Sequence, residues 1–120
     1  MNNPLVDEHA ERMVLGHVQT CPWDLADLLE VVSPENFGDP RHGPLFEVLR
    51  HVIERDGEVS YPAISAALLE RNIYNAVGGV QYVNDCTSIN DGNGFGVIRS
   101  SALAAARIVS QLATRRALVD

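Results

Sequence analysis

The chain has no lysine; all nine of its basic residues are arginine. That absence removes the chemistries that run through a primary amine. A nucleotide-binding P-loop needs its lysine on the phosphates, and Schiff-base catalysis needs an amine side chain. Cysteine is scarce as well. Cys21 and Cys86 stand far apart with no CxxC pair, so each reads as a buried free thiol and not as part of a disulfide framework. No apolar run approaches the roughly 18–20 residues that cross a bilayer, and Met1-Asn2-Asn3-Pro4 sets no basic stretch before an apolar one. The expectation is a soluble, cytoplasmic protein with no membrane partner. β-Branched residues are scattered and never alternate over a whole segment, which excludes strands and leaves an all-α class.

What is present suits one domain. A length of 120 residues is enough for a core and too short for two, and 46% hydrophobic with 21% charged residues is the balance of a globular chain. The net charge of −7 is unevenly spread. Residues 1–91 carry fifteen acids against five arginines, a net −10, whereas Arg99, Arg107, Arg115 and Arg116 against Asp120 leave the remainder at +3. A chain with pI ≈ 4.9 is poorly suited to wrapping a phosphate backbone. The basic tail reads equally as a solvated helix face or as a surface for an acidic partner.

Helical spacing runs through most of the chain. Val6, Ala10, Met13, Val14 and Val18 define a first helix with Asp7 at its cap, and Gly16 inside it, costing about 1 kcal/mol against alanine, signals a close helix contact. Cys21-Pro22 ends that helix and a second is predicted from Trp23 to Val32. Ser33-Pro34-Glu35-Asn36 makes a capped turn from which Phe37 enters the core. A helix then starts between Pro40 and Pro44, with Leu45, Phe46, Leu49, Val52 and Ile53 inward and Gly57 as its stop. Ser60 caps the next, with Ile64, Leu68 and Leu69 inward and Asn72 at a left-handed end. Gly78-Gly79 breaks the chain before a short helix through Val80, Tyr82, Val83 and Cys86; Asp91–Gly94 turns it again. A final helix is predicted over Phe95 to Val119. On it Ile98, Ala102, Ala105, Val109 and Leu112 form a heptad seam, and further apolar residues outside the seam ask for more than one packing partner.

No catalytic, cofactor-binding or metal-binding constellation emerges. The four histidines, His9, His17, His42 and His51, form no HExxH and are read as pairing with no cysteine at ligand spacing. His42 shares the stripe of Leu45, Phe46 and Leu49 and reads as a half-buried, hydrogen-bonded structural residue. Asp24/Asp27 and Glu54/Asp56/Glu58 read as solvated faces, and Trp23 and Tyr82 as core residues. From residue chemistry alone this is an interaction domain.

The order of features adds a resemblance. Ala10-Glu11-Arg12-Met13-Val14-Leu15-Gly16, then Phe37, His42 and Leu45-Phe46, then Ser60 through Ile64 and Leu68, then Gly78-Gly79-Val80-Gln81-Tyr82-Val83 resemble the N-terminal domain of DnaB-type replicative helicases over roughly residues 7–86. His9 stands where that family has an acidic residue and Gly38 where it has an aromatic. The resemblance implies a globular helical head, residues 1–77, followed by a helical hairpin, residues 78–120, within one domain. It marks Ala10, Glu11, Leu15, Gly16, Phe37, His42, Phe46, Gly78, Gly79 and Tyr82 as structural motif residues. Through the hairpin it implies self-association into dimers and a hexameric collar, with Ile98, Ala102, Ala105, Val109 and Leu112 as interface candidates. It further implies primase as a partner, and DNA met only weakly or through a full-length ring. ATP and Mg are expected only in a separate motor domain, consistent with the missing lysine, and the chain is expected to be the non-catalytic piece of a longer helicase. The rival expectation is a free-standing helical adaptor for helicase or primase; a reading frame continuing past Asp120 into a P-loop domain would exclude it.

Overall fold

The computed structural model describes residues 4–88 and 98–119. Its helices are α1 (Glu8–Thr20), α2 (Leu25–Leu29), α3 (His42–Asp56), α4 (Tyr61–Glu70), α5 (Gly79–Asp85) and α6 (Arg99–Val119), with 3-10 turns at Pro22–Asp24, Pro34–Asn36 and Cys86–Ser88. Among the described residues there is no strand. The Asp91–Gly94 turn lies outside the described residues, as do Phe95 to Gly96 and Val97 of the predicted last helix.

Local chemistry sets the boundaries. Asp7 accepts from the Ala10 amide at 2.9 Å and caps α1, and Ser60 does the same for α4 through Ala63. Gly57 (φ 80) stops α3, and Asn72 (φ 61) takes the left-handed position after α4. Gly78 (φ 94) and Gly79 (φ 72) occupy backbone that a side chain resists, which turns the chain sharply into α5. The second helix is shorter than its sequence suggests. Pro22 opens a 3-10 turn instead of an α-helix, and the β-branched pair Val31-Val32 ahead of Ser33-Pro34 releases the chain after Leu29. Val32 is still buried.

One core joins all of these elements. Val14, Leu15 and Val18 of α1 meet Leu45, Phe46, Leu49 and Val52 of α3, Leu68 of α4 and Val83 of α5, all essentially solvent-free. Phe37 plugs the base, its ring centroid 5.0 Å from that of Phe46. Two residues expected inward point outward: Trp23 is 75% exposed and Leu69 60% exposed.

The long helix α6 lies along α1, touching the Pro34–Asn36 turn and α2 as well. Ala102, Ala105, Ala106 and Val109 are buried there within the one chain, while Ile98 is exposed and Leu112 half-buried. The centre of the heptad seam is therefore covered by α1 within the single chain. The small alanines permit the close approach of the two backbones. Arg116 fixes the far end, donating at 2.6 Å from Nη1 to the Leu5 carbonyl and at 2.6 Å from Nη2 to the Asn36 carbonyl. A Cβ on Gly38 would lie 2.9 Å from Arg116 Nη1 and 2.6 Å from Val6 Cγ2. The space an aromatic would need after Phe37 is thus filled by this arginine anchor.

Candidate functional site

The motif residues scattered along the sequence converge on one buried polar network between α1, α3 and α5. His42, fully buried and not half-buried as its sequence context suggests, sits with Nδ1 2.7 Å from Glu11 Oε1 and Nε2 2.6 Å from the Tyr82 hydroxyl. One neutral tautomer serves both contacts: Nδ1–H donates to the carboxylate, and Nε2 accepts from the phenol. Glu11 is itself buried, and its oxygens accept from the Gly38 amide at 2.6 Å and the Asp39 amide at 3.2 Å. Glu11, an acid in the first turn of α1, is thus the clamp on the loop entering α3.

Around this clamp lies a second layer. Asp39 takes both a 3.0 Å and a 2.7 Å hydrogen bond from the Arg41 guanidinium, which holds its carboxyl below the usual range despite burial. Arg41 also stacks over the Tyr82 ring, 4.3 Å from its centroid. Burial pushes the Tyr82 phenol up to about 12, so it stays a donor at any ordinary pH. Ala10, Leu15 and Phe46 pack beside the network, and Gly78-Gly79 starts the helix that carries Tyr82. All of its members are engaged with one another, so the chemistry available here is cohesion.

Gly16 has a separate role. A Cβ there would stand 2.2 Å from the Cys86 carbonyl oxygen, so α1 touches the turn after α5 backbone to backbone. Gln19 reinforces the contact by donating to the Val83 carbonyl at 2.9 Å.

A third cluster sits at the end of α1. His17 Nε2 lies 2.7 Å from Asp24 Oδ2, and the ligating atoms of His17, Cys21 and Asp24 all fall within 4.8 Å of one another. Asp24, far from being a solvated acid, is buried, with Arg99 of α6 3.4 Å from its other oxygen. Arg99 also pairs with Asp27. The sequence reading joins no histidine to a cysteine; the fold does so through one turn of helix between His17 and Cys21, and the 3-10 turn after Pro22 brings Asp24 back to both.

The outer surface of α6 carries apolar residues that the other described residues leave largely exposed. Ile108 is 40% exposed, Leu118 81% and Val119 72%. Between α6 and α1 runs a shallow cleft lined by His9, Ala10, Met13, Ser101, Ala104 and Ile108. Arg107 and Arg115 are exposed on the same helix, while Arg99 is paired at the surface with Asp24 and Asp27 and Arg116 is held by the Leu5 and Asn36 carbonyls. No described helix is long and apolar enough to cross a membrane.

Fold and network together define an all-α domain whose buried polar chemistry holds its helices in place and whose last helix exposes several apolar residues. Residues 3–92 match the family model of the DnaB-like helicase N-terminal domain. The chain belongs to that family, and what it matches is the N-terminal domain and not a motor. It is 30% identical over 76 residues to the replicative DNA helicase DnaB of Geobacillus stearothermophilus, a match covering 63% of this chain and 17% of that protein. The chain therefore spans only a small part of the curated relative's length. The structure is similar to the crystal structure of the N-terminal domain of DnaB helicase from Mycobacterium tuberculosis, with a TM-score of 0.82, 28% identity, and coverage of 98% of this chain and 80% of that one.

Proposed function

We propose that this domain is the assembly and docking end of a replicative DNA helicase, meeting copies of itself in a collar and receiving primase, in the cytoplasm. The reading is carried by one conjunction: a helicase N-terminal family match on a chain whose last helix leaves Ala104, Ile108, Leu118 and Val119 uncovered. A self-complementary contact across a two-fold axis would bury such a stripe at no further cost in sequence. The motor, with its ATP and Mg, belongs to a separate domain, and unwinding is that domain's work.

The charge distribution supports a minor role for DNA. With two of the four tail arginines tied to Asp24, Asp27, Leu5 and Asn36, little cationic surface remains for phosphates. Binding to duplex or single strands is expected to be weak and to vanish at physiological salt.

Sedimentation velocity over a range of concentrations tests the self-association, and co-sedimentation with purified primase tests the docking. Reversible dimers that Ile108→Glu converts to folded monomers support the assembly role. A chain that stays monomeric at high concentration and ignores primase would remove it.

A further inference from the structure

We propose that His17, Cys21 and Asp24 form a binding site for one divalent transition metal ion, zinc being the expected occupant. The reading rests on geometry and donor chemistry. An imidazole nitrogen, a thiolate and a carboxylate oxygen, all within 4.8 Å of one another, form a mixed N, S, O set of the kind that favours zinc over magnesium or calcium. Tetrahedral coordination at about 2.0–2.3 Å needs donor atoms a little over 3 Å apart. The 2.7 Å contact between His17 and Asp24 need open by well under 1 Å to admit the ion. A water would complete the fourth position.

The surroundings are those of a built site. His17 and Asp24 are both buried, on elements fixed by the core, whereas Cys21 at the helix end opens partly to solvent and gives the ion its entry. Arg99 holds the Asp24 oxygen that faces away from His17, leaving Oδ2 for the ion. The Thr20 hydroxyl donates to the His17 carbonyl at 3.2 Å and lies 3.9 Å from the Cys21 sulfur, beside both ligands. Such outer contacts orient ligands in metal sites. The Cys21 thiol gives up its proton on ligation, so affinity falls as pH drops.

The consequence is mechanical. An ion there ties the end of α1 to the Pro22–Asp24 turn and, through Asp24 and Arg99, to the start of α6. The chain's single tryptophan, Trp23, projects from that same turn and reports on it.

Titration of the metal-free chain with Co(II), followed in absorbance, is the test, with Trp23 emission and competition by Zn(II) as second readouts. The expected result is saturation at one equivalent with a thiolate-to-cobalt charge-transfer band that Zn(II) displaces. Cys21→Ser should abolish the band, and Cys86→Ser should leave it intact. Asp24→Asn should keep the band but weaken binding by at least about tenfold, the scale on which even outer-shell changes act. Circular dichroism confirms that each variant is folded. A cobalt spectrum without the thiolate band, or a band unchanged in folded Cys21→Ser, overturns the assignment and leaves His17–Asp24 as a hydrogen-bonded pair.

Discussion

Gly16 meets Cys86 with nothing between the two backbones: a methyl group on Gly16 would lie 2.2 Å from the Cys86 carbonyl oxygen. Both partners are main chain, so neither side can swing aside. Gly16→Ala gains about 1 kcal/mol of helix propensity but forces α1 from the Cys86–Ser88 turn, a cost typical of overpacking at about 1–3 kcal/mol and here at its upper end. Urea unfolding should show a net loss. A Gly16→Ala protein as stable as the parent would mean that the contact is looser than drawn.

Phe46 is wholly buried against Phe37 and the α1 stripe. Phe46→Ala should cost about 3–5 kcal/mol, measured by denaturant unfolding, because the core around it has no room to collapse. A loss under about 1 kcal/mol would be incompatible with a closed core at this position.

Glu11 satisfies three donors at once, the His42 imidazole and the Gly38 and Asp39 amides. Glu11→Ala strands all three away from water and should cost about 3–5 kcal/mol, the range for removing one side of a buried pair. Glu11→Gln, which keeps an acceptor, should cost clearly less. Equal losses for the two variants would indicate that bulk, and not hydrogen bonding, is what matters at position 11.

Those residues also show what could be read from the chain itself. The helices were legible because caps, stripes and stops agreed: Asp7, Ser60, Gly57 and Asn72 each sit where their side-chain or backbone chemistry requires. The network was legible only as a set of motif residues. Glu11 to His42 and His42 to Tyr82 are long-range contacts, and no local period encodes them. The same limit hid the His17, Cys21 and Asp24 cluster, whose third member is delivered by a 3-10 turn that looks like the start of a helix. Trp23 misled in the opposite direction, since a large aromatic in an apolar context gives no local sign that its turn faces outward.

Alkaline pH should destabilise the fold through two groups. Burial raises the Cys86 thiol from 9.0 to about 11 and the Tyr82 phenol from 10.0 to about 12. A group whose pKa is raised on folding contributes stability that is complete below its unfolded value and is lost as pH climbs through the folded one. The contribution of these two groups should therefore be level below pH 9, fall between 9 and 11 as the unfolded state releases the Cys86 proton first, and fall further to 12 through Tyr82. Cys86→Ala should flatten the first part of that slope in urea midpoints measured against pH. An unchanged slope would assign the loss to other groups.

The last prediction separates the two faces of α6. Ala105 and Ile108 are neighbours on the helix, yet Ala105 is 3% exposed against α1 while Ile108 is 40% exposed. A carboxylate at position 105 must either be buried without a partner or pry α6 from α1. Ala105→Glu should therefore lower stability by several kcal/mol whether or not the protein associates, because both overpacking and charge burial oppose it. Ile108→Glu places the same charge in water and should change stability by less than about 1 kcal/mol. If α6 mediates assembly, it does so through the Ile108 side, and Ile108→Glu will dissociate the oligomer without unfolding it. Paired measurements of thermal unfolding and sedimentation on the two variants decide this. A folded, monomeric Ala105→Glu protein beside an unaffected, oligomeric Ile108→Glu protein would reverse the assignment, and α6 would then have to leave α1 for a partner chain when the domain assembles.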